Sequence, residues 1–249
     1  MRPWIPAFSG MTVERNEPSH RIPFRTGASG GPAIWQRLAG RGSCDHLQGM
    51  SRPSPSAAPS PEPESWPAGT VFTIGHSIHP IEEFIALLRQ AGIRVLVDVR
   101  SVPRSRRNPQ FNIETLPGTL AEAGIEHRHL KSLGGLRHRP KGAPPSPNGL
   151  WQNEAFRNFA DHALTEEFRR GFDELLRLAA GRPTAIMCAE ALWWRCHRRI
   201  IADHLLVQGL PVAHVMGKGK IEAAKLTPGA VVAGDGQLVY PAGQGDLGL

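Results

Sequence analysis

The chain has 249 residues, 40% of them hydrophobic and 20% charged, with a formal net charge of +7. This is enough apolar content for one good-sized core or two small ones, and no apolar run approaches the roughly 18–20 residues of a membrane span. Three cysteines, an odd number behind an N-terminal stretch that Pro3 and Pro6 interrupt and that does not read as a signal peptide, point to a reducing cytoplasm.

Residues 1–67 show no sustained period of 2 or 3.6. They hold seven Arg and five acidic residues, so +2 of the +7 lies there. Gly27–Gly31 and Ser51–Pro67, the latter with six prolines, resemble linker sequence. The segment is expected to be a disordered extension, or at most to carry a small docking element near Ala33–Leu38. Met50 stands directly before the Pro/Ser-rich stretch and is an alternative translation start, which would leave residues 1–49 outside the natural product.

From Thr70 the pattern becomes regular. Thr70–Ile74 reads as a short buried strand with Gly75-His76-Ser77 as its exit turn. Pro80 suits a first helical position. Ile81, Phe84, Ile85 and Leu88 follow at helical offsets, and Gly92 closes that helix. Ile93–Val99 is nearly continuous apolar sequence, as in a parallel strand buried on both faces. Asn112–Ala123 reads as helix broken by Pro117 and Gly118, Ile125–Leu130 as a third strand, and Lys131–Asn148 as loop.

Glu154–His162 and Glu166–Ala180 read as helices, Thr184–Cys188 as a strand, Arg195–Val207 as a helix and Val212–Val215 as a strand. A small hairpin is expected near Val231–Tyr240. Alternating strands and helices predict an α/β domain over 68–216: a mainly parallel, Rossmann-like three-layer sheet with helices on both faces. Residues 217–249 are expected to form a C-terminal extension.

In parallel sheets of this kind, ligands bind at the carboxyl ends of the strands. Those ends carry His76 and Ser77, then Asp98, Arg100 and Ser101, then His129, then Cys188 and Glu190. A thiol ending a strand and facing a helix start is well placed for a nucleophile or an anion. Cys188 thus reads as a nucleophile or sulfur carrier, or as a small residue closing a strand. Glu190 reads as a general base, as an orienter of Arg100 or His197, or as an ion-pair partner of Arg195 or Arg198.

Cys196 shares a stripe with Ile200 and Val207 and suits a core thiol. His197 near the helix start could act as a neutral base or serve as a capping residue. Asp98 could hold Arg100 or fix a histidine tautomer, and His76 could supply an acid or base. Cys188, Cys196 and His197 with one of His76, His127 or His129 would make a Cys2His2 set. Seven residues separate the cysteines, against two to four in a zinc knuckle, so no metal or other cofactor is assigned.

Arg100, Arg104, Arg106 and Arg107 form one basic loop. Arg128, Arg137, His138, Arg139 and Lys141 form another, beside Gly134-Gly135. With Ser77, Ser101, Arg195 and Arg198, these positions are candidates to bind an anionic substrate. Trp151 and Phe111 are the only aromatics near these loops, too few to point to a stacking platform.

The motifs T-I-G-H-S (73–77), V-D-V-R-S-x-P-x-S (97–105), Phe111, L-G-G (133–135) and M-C-A-E-x5-C-H-R (187–198) resemble the DUF488 family over roughly Val71–Val215. The resemblance supports the domain limits and the choice of residues; the family label implies no reaction. The family's third strand commonly ends in tyrosine-histidine, where this chain has Glu126-His127-Arg128-His129. The layout is more loosely similar to rhodanese-like and cysteine phosphatase-like domains. Here, however, six residues separate Cys188 from Arg195, a longer loop that lacks glycine and carries Glu190.

The expected function is an enzyme, a thiol-dependent transferase or hydrolase, acting on an anionic substrate, with a nucleotide or nucleic acid as one candidate. The alternatives are a non-catalytic nucleic-acid-binding module and a domain with a structural zinc. No membrane partner is expected.

Overall fold

Val71–Gly75 forms the first strand, β1, and every one of its residues is buried. In the computed structural model of the chain, residues 66–234 and 236–243 are described, and they lie within one unit, Pro63–Leu249. The expectations for residues 1–65 fall outside the described residues.

Helix α1 (Ile81–Gln90) follows, with Pro80 as its N-cap and Phe84, Leu87 and Leu88 turned inward. Strand β2 (Val95–Asp98) is buried throughout. A single 3-10 turn at Pro109–Phe111 leads to α2 (Leu116–Glu122). Pro117 does not break α2 because it stands in the first turn, where a missing N–H costs no helical bond. Strand β3 (Glu126–His129) is half-buried, at one edge of the sheet.

Helices α3 (Glu154–Ala163) and α4 (Glu166–Ala179) are each capped by a side chain, Asn153 onto the Ala155 amide and Thr165 onto the Phe168 amide. Strand β4 (Thr184–Cys188), helix α5 (Arg198–Val207) and strand β5 (Val212–Gly217) come next. The last elements are β6 (Lys220–Ala223), β7 (Val231–Val232) and β8 (Leu238–Val239).

Six strands make one sheet in the order β3-β2-β4-β1-β5-β6. All neighbours run parallel except β5 and β6. Strands β7 and β8 pair as the small antiparallel hairpin read from the sequence. Alternation along the strands sends side chains to two separate cores. Val95, Val97, Val99 and Ile186 pack with Phe159, Phe168, Ile200 and Leu205 from α3, α4 and α5. Leu96, Ala185 and Met187 pack with Phe84, Leu88, Leu116 and Leu120 from α1 and α2. The result is a three-layer α/β fold with a mixed, mostly parallel sheet.

Strand β6 and the residues 238–240 pack onto the domain. Strand β6 adds an antiparallel edge to the sheet, and Leu238 and Tyr240 are buried in the α3–α5 core. Tyr240 places its hydroxyl 2.8 Å from Asp203 Oδ2 in α5. Among the described residues, no helix is long and apolar enough to cross a membrane.

Candidate active site

The register pairs Gly75 with Cys188 and Asp98 with Met187, so the carboxyl ends of β1, β2 and β4 come together at one edge of the sheet. The exits of β1 and β4 stay laced together beyond the strands. The His76 amide donates to the Cys188 carbonyl at 2.9 Å and the Ser77 amide to the Ala189 carbonyl at 3.0 Å. Gly75 is required for this approach, since a Cβ there would lie 2.0 Å from the Glu190 carbonyl oxygen. Ser77 has a φ of 47°, a left-handed conformation rare for a residue with a side chain.

Alternation then divides the polar residues between the two faces of the edge. Asp98 lies on the α1/α2 side with Leu96, and Cys188 on the α3–α5 side with Ile186. The single pocket expected from the sequence is two clusters back to back.

The first cluster centres on Asp98, which is fully buried. Its carboxylate accepts from the Arg100 amide at 3.0 Å, from Nε at 2.8 Å and from Nη2 at 2.6 Å. Nη2 donates also to the Phe111 carbonyl at 2.7 Å, and Nη1 lies 3.2 Å from His76 Nε2. Burial alone would raise the Asp98 pKa, but the His127 and Arg100 contacts outweigh it and hold the carboxyl below its ordinary range.

His76 is stacked on Phe111, 4.3 Å between centroids, with Nδ1 on the Ser77 carbonyl at 2.9 Å. A carbonyl can only accept, so Nδ1 carries the hydrogen and Nε2 receives Arg100. Burial first, and Arg100 second, lower the His76 pKa to about 4. His76 and Arg100 therefore form a neutral-plus-cation brace whose polar atoms are engaged within the protein.

The second cluster is Cys188, Cys196, His197 and Arg198. His197 Nε2 lies 3.0 Å from the Val99 carbonyl and must donate to it. In the neutral ring, Nδ1 is then a lone pair, and it faces both sulfurs: Cys196 Sγ at 3.6 Å and Cys188 Sγ at 3.9 Å. Phe159 holds the ring edge-on, 4.9 Å away. Gly135 lies so close that a Cβ would fall 2.3 Å from Nδ1, and a Cβ on Gly134 would fall 2.5 Å from Ser101 Oγ. The two glycines let the loop close over His197 and Ser101, and the Leu136 amide donates to Ser101 Oγ at 2.8 Å.

Arg198 is 1% exposed. Its Nε donates to Cys196 Sγ at 3.4 Å, Nη1 to Thr73 Oγ1 at 3.4 Å, and Nη2 to the Glu190 and Ala191 carbonyls. Thr73 passes the chain on to His214 Nδ1 at 2.8 Å, and His214 stacks on Trp193. Burial, then Arg198, lower the His214 pKa to about 3. Burial opposes ionisation of Cys196, but the Cys188 hydrogen bond and the His197 and Arg198 contacts hold its thiol well below the ordinary range. The hydrogen bond shared with Cys196, then burial, hold the Cys188 thiol well above it.

Glu190 joins neither cluster. It is exposed, and its Oε1 accepts from the Leu192 amide at 3.3 Å, so the cost of a buried carboxylate does not arise. Arg104 is exposed and paired with Glu114. Arg195 is exposed on the 3-10 turn Trp193–Arg195. His129 serves the backbone, with Nε2 2.8 Å from the Arg100 carbonyl.

Sequence reading missed Thr73, His214 and the Val99 and Phe111 carbonyls. A lone polar residue inside each of two apolar strands was the available signal for the first two.

A family model described as Domain of unknown function DUF488 matches residues 80–205. The chain belongs to the DUF488 family. The matched segment contains Asp98, Arg100, Cys188, Cys196, His197 and Arg198; His76 and Ser77 precede it. Searches of curated proteins and of solved structures each return no match.

A cleft of about 560 Å³ in the DUF488 chain lies away from both clusters, between the 136–147 loop and the facing ends of α3 and α4. Arg137 and Arg139 of the second basic loop line it, and they are paired with Glu167 and Asp161.

Proposed function

We propose that this DUF488 domain is an enzyme with a thiol–imidazole reactive centre, Cys188, Cys196 and His197, acting on an anionic substrate at the carboxyl edge of its sheet. The observation that carries the reading is the orientation of His197. Its Nε2 is committed to the Val99 carbonyl, which leaves the Nδ1 lone pair directed at two thiols. A base positioned on a thiol is the basic unit of nucleophilic cysteine chemistry. Cys188 is the half-buried member of the pair, so a substrate meets its protonated thiol, and His197 Nδ1 takes that proton as the sulfur attacks.

Arg100 and Arg198 are engaged within the protein and brace the site. The anion is held instead by exposed cations on the surrounding loops, Arg106, Arg107, Lys131 and Arg195. The chemistry is group transfer or hydrolysis through the thiol, in a reducing cytoplasmic setting that keeps both cysteines free. His76 and Asp98, on the opposite face, position Arg100 and the β2 exit.

A second reading draws on the loop tips. Ile78, Val102, Leu136 and Trp194 are large apolar side chains exposed by 81%, 62%, 65% and 42%, one after each of β1 to β4. With Arg195 beside Trp194, such tips favour a single-stranded nucleic acid, stacked on the indole and gripped at its phosphates.

A thermal-shift screen of nucleotides, short single-stranded oligonucleotides and sulfur donors separates the two. Stabilisation by a small anion that is lost in Cys188→Ser supports the enzyme. Stabilisation by oligonucleotides alone, unchanged in Cys188→Ser and weakened by salt, supports the binding module.

A further inference from the structure

We propose that Cys188, Cys196 and His197 hold a soft divalent metal ion, zinc by ligand type, with a fourth position left open toward the carboxyl edge. Three electron-pair donors, two Sγ and one Nδ1, lie within 4.8 Å of one another. Lone pairs converging at this range require a shared proton or a cation between them.

The spacing fits a cation. A tetrahedral zinc with Zn–S of about 2.3 Å and Zn–N of about 2.05 Å sets sulfur and nitrogen about 3.6 Å apart. The two sulfur–nitrogen distances here are 3.6 and 3.9 Å. The ring is also prepared as a ligand. A histidine that binds metal through one nitrogen usually donates the other N–H to a carbonyl or carboxylate, as His197 Nε2 does to Val99.

The supporting contacts follow the same logic. Arg198 Nε donates to Cys196 Sγ at 3.4 Å, which steadies a thiolate ligand. Gly135 leaves room beside Nδ1 that any side chain would fill. The ligands come from rigid elements, the end of β4 and the turn into α5. The sequence spacing of the cysteines hides this set, because a strand end and a helix start replace the short knuckle.

Thiolate and imidazole donors together suit zinc among the common divalent ions. Both sulfurs bind the ion as thiolates, any remaining thiol proton leaving to solvent, so the ion and two thiolates are neutral together and Arg198 leaves the site net positive. His76, His127 and His129 are on Arg100, near Asp98 and on the Arg100 carbonyl, respectively. None supplies a fourth ligand, and water or an anionic substrate takes that place. This use of the fourth position rests on the reading of the trio as the reactive centre; metal binding itself rests on the geometry.

The test uses the full chain purified without a metal-affinity tag. Elemental analysis is expected to find about one zinc per chain. Cobalt replacement should give the thiolate charge-transfer and intense visible bands of a tetrahedral site, and X-ray absorption should give a first shell with two sulfurs and one imidazole nitrogen. Cys188→Ser and Cys196→Ser should each weaken the charge-transfer band and loosen the ion at least tenfold, and Cys44→Ser should change neither.

Absorption spectroscopy on the unaltered chain reads the ligands directly, so a variant that fails to fold does not decide the matter. Cobalt giving only the spectrum of the hydrated ion, or a first shell without sulfur, overturns the site. If cobalt and X-ray absorption fail in this way while the thiols are still alkylated at a His197-dependent rate, the metal site falls and the thiol–imidazole reading stands.

Discussion

Asp98 and Arg100, two residues apart, form a buried ion pair in which one carboxylate receives the amide, Nε and Nη2 of the same arginine. The pair folds the β2 exit back on itself and presents the Arg100 carbonyl to His129. Removing one partner leaves a buried charge uncompensated, a loss of about 3–5 kcal/mol. Arg100→Met and Asp98→Asn are therefore each expected to lower the urea-unfolding free energy strongly. The double variant should lose less than the sum of the two. Additive losses would show that the residues act independently.

Acid should destabilise the fold before carboxylates titrate. The folded-state pKa values of His76 and His214 are lowered to about 4 and about 3 by burial. Unfolded histidine titrates near 6.5, so below that pH the unfolded chain binds protons that the folded chain refuses, and stability falls. The loss should begin near pH 6.5, run down to about pH 3–4, and reach about 3 kcal/mol for His76 and about 5 kcal/mol for His214. Asp98, with its lowered pKa, adds a loss only below about pH 4, the unfolded carboxyl value, as the folded carboxyl takes up its proton. Denaturant titrations from pH 7.5 to 4 check this. A flat profile between pH 6.5 and 5 would contradict the buried neutral histidines.

Two glycines are fixed by contact. A methyl on Gly75 would meet the Glu190 carbonyl at 2.0 Å, and one on Gly135 would meet the His197 ring at 2.3 Å. Gly75→Ala strikes backbone and should cost at least about 3 kcal/mol. Gly135→Ala can be accommodated by turning His197 away, at about 1–3 kcal/mol. It should therefore retain the fold while losing the imidazole–thiol contact. Thermal melts with NMR of the His197 ring separate these effects, and an unmoved ring in Gly135→Ala would count against the packing described here.

The segment after Gly217 is expected to be indispensable. Tyr240→Phe removes a buried hydrogen bond to Asp203 and should cost about 1–2 kcal/mol. Tyr240→Ala opens a cavity in the α3–α5 core and should cost about 3–5 kcal/mol. A chain ending at residue 216 should be insoluble or molten by near-UV circular dichroism. A native-like spectrum from that chain would refute this role.

Much of the fold was legible because the buried parallel strands are short, nearly continuous apolar runs such as Ile93–Val99, and because helices show apolar residues at helical offsets, as at Ile81, Phe84, Ile85 and Leu88 after Pro80. Strand β6 was not, since Lys220–Ala223 is an edge with one apolar residue turned in. The site residues were legible as strand ends, but their division was not. Whether Asp98 and Cys188 share a face depends on register between β2 and β4, which no local pattern encodes. Glu190 was chosen for its position beside the cysteine; the backbone turns it to solvent, and only its carbonyl serves the site.

The central claim is that His197 activates the Cys188–Cys196 pair, and thiol alkylation mapped by mass spectrometry on chelator-treated full-length protein tests it most directly. In the unaltered chain, Cys188 or Cys196 should react at least tenfold faster than the same residue in His197→Gln, with Cys44 reacting equally in both. Equal rates at all three cysteines with and without the imidazole would contradict the account.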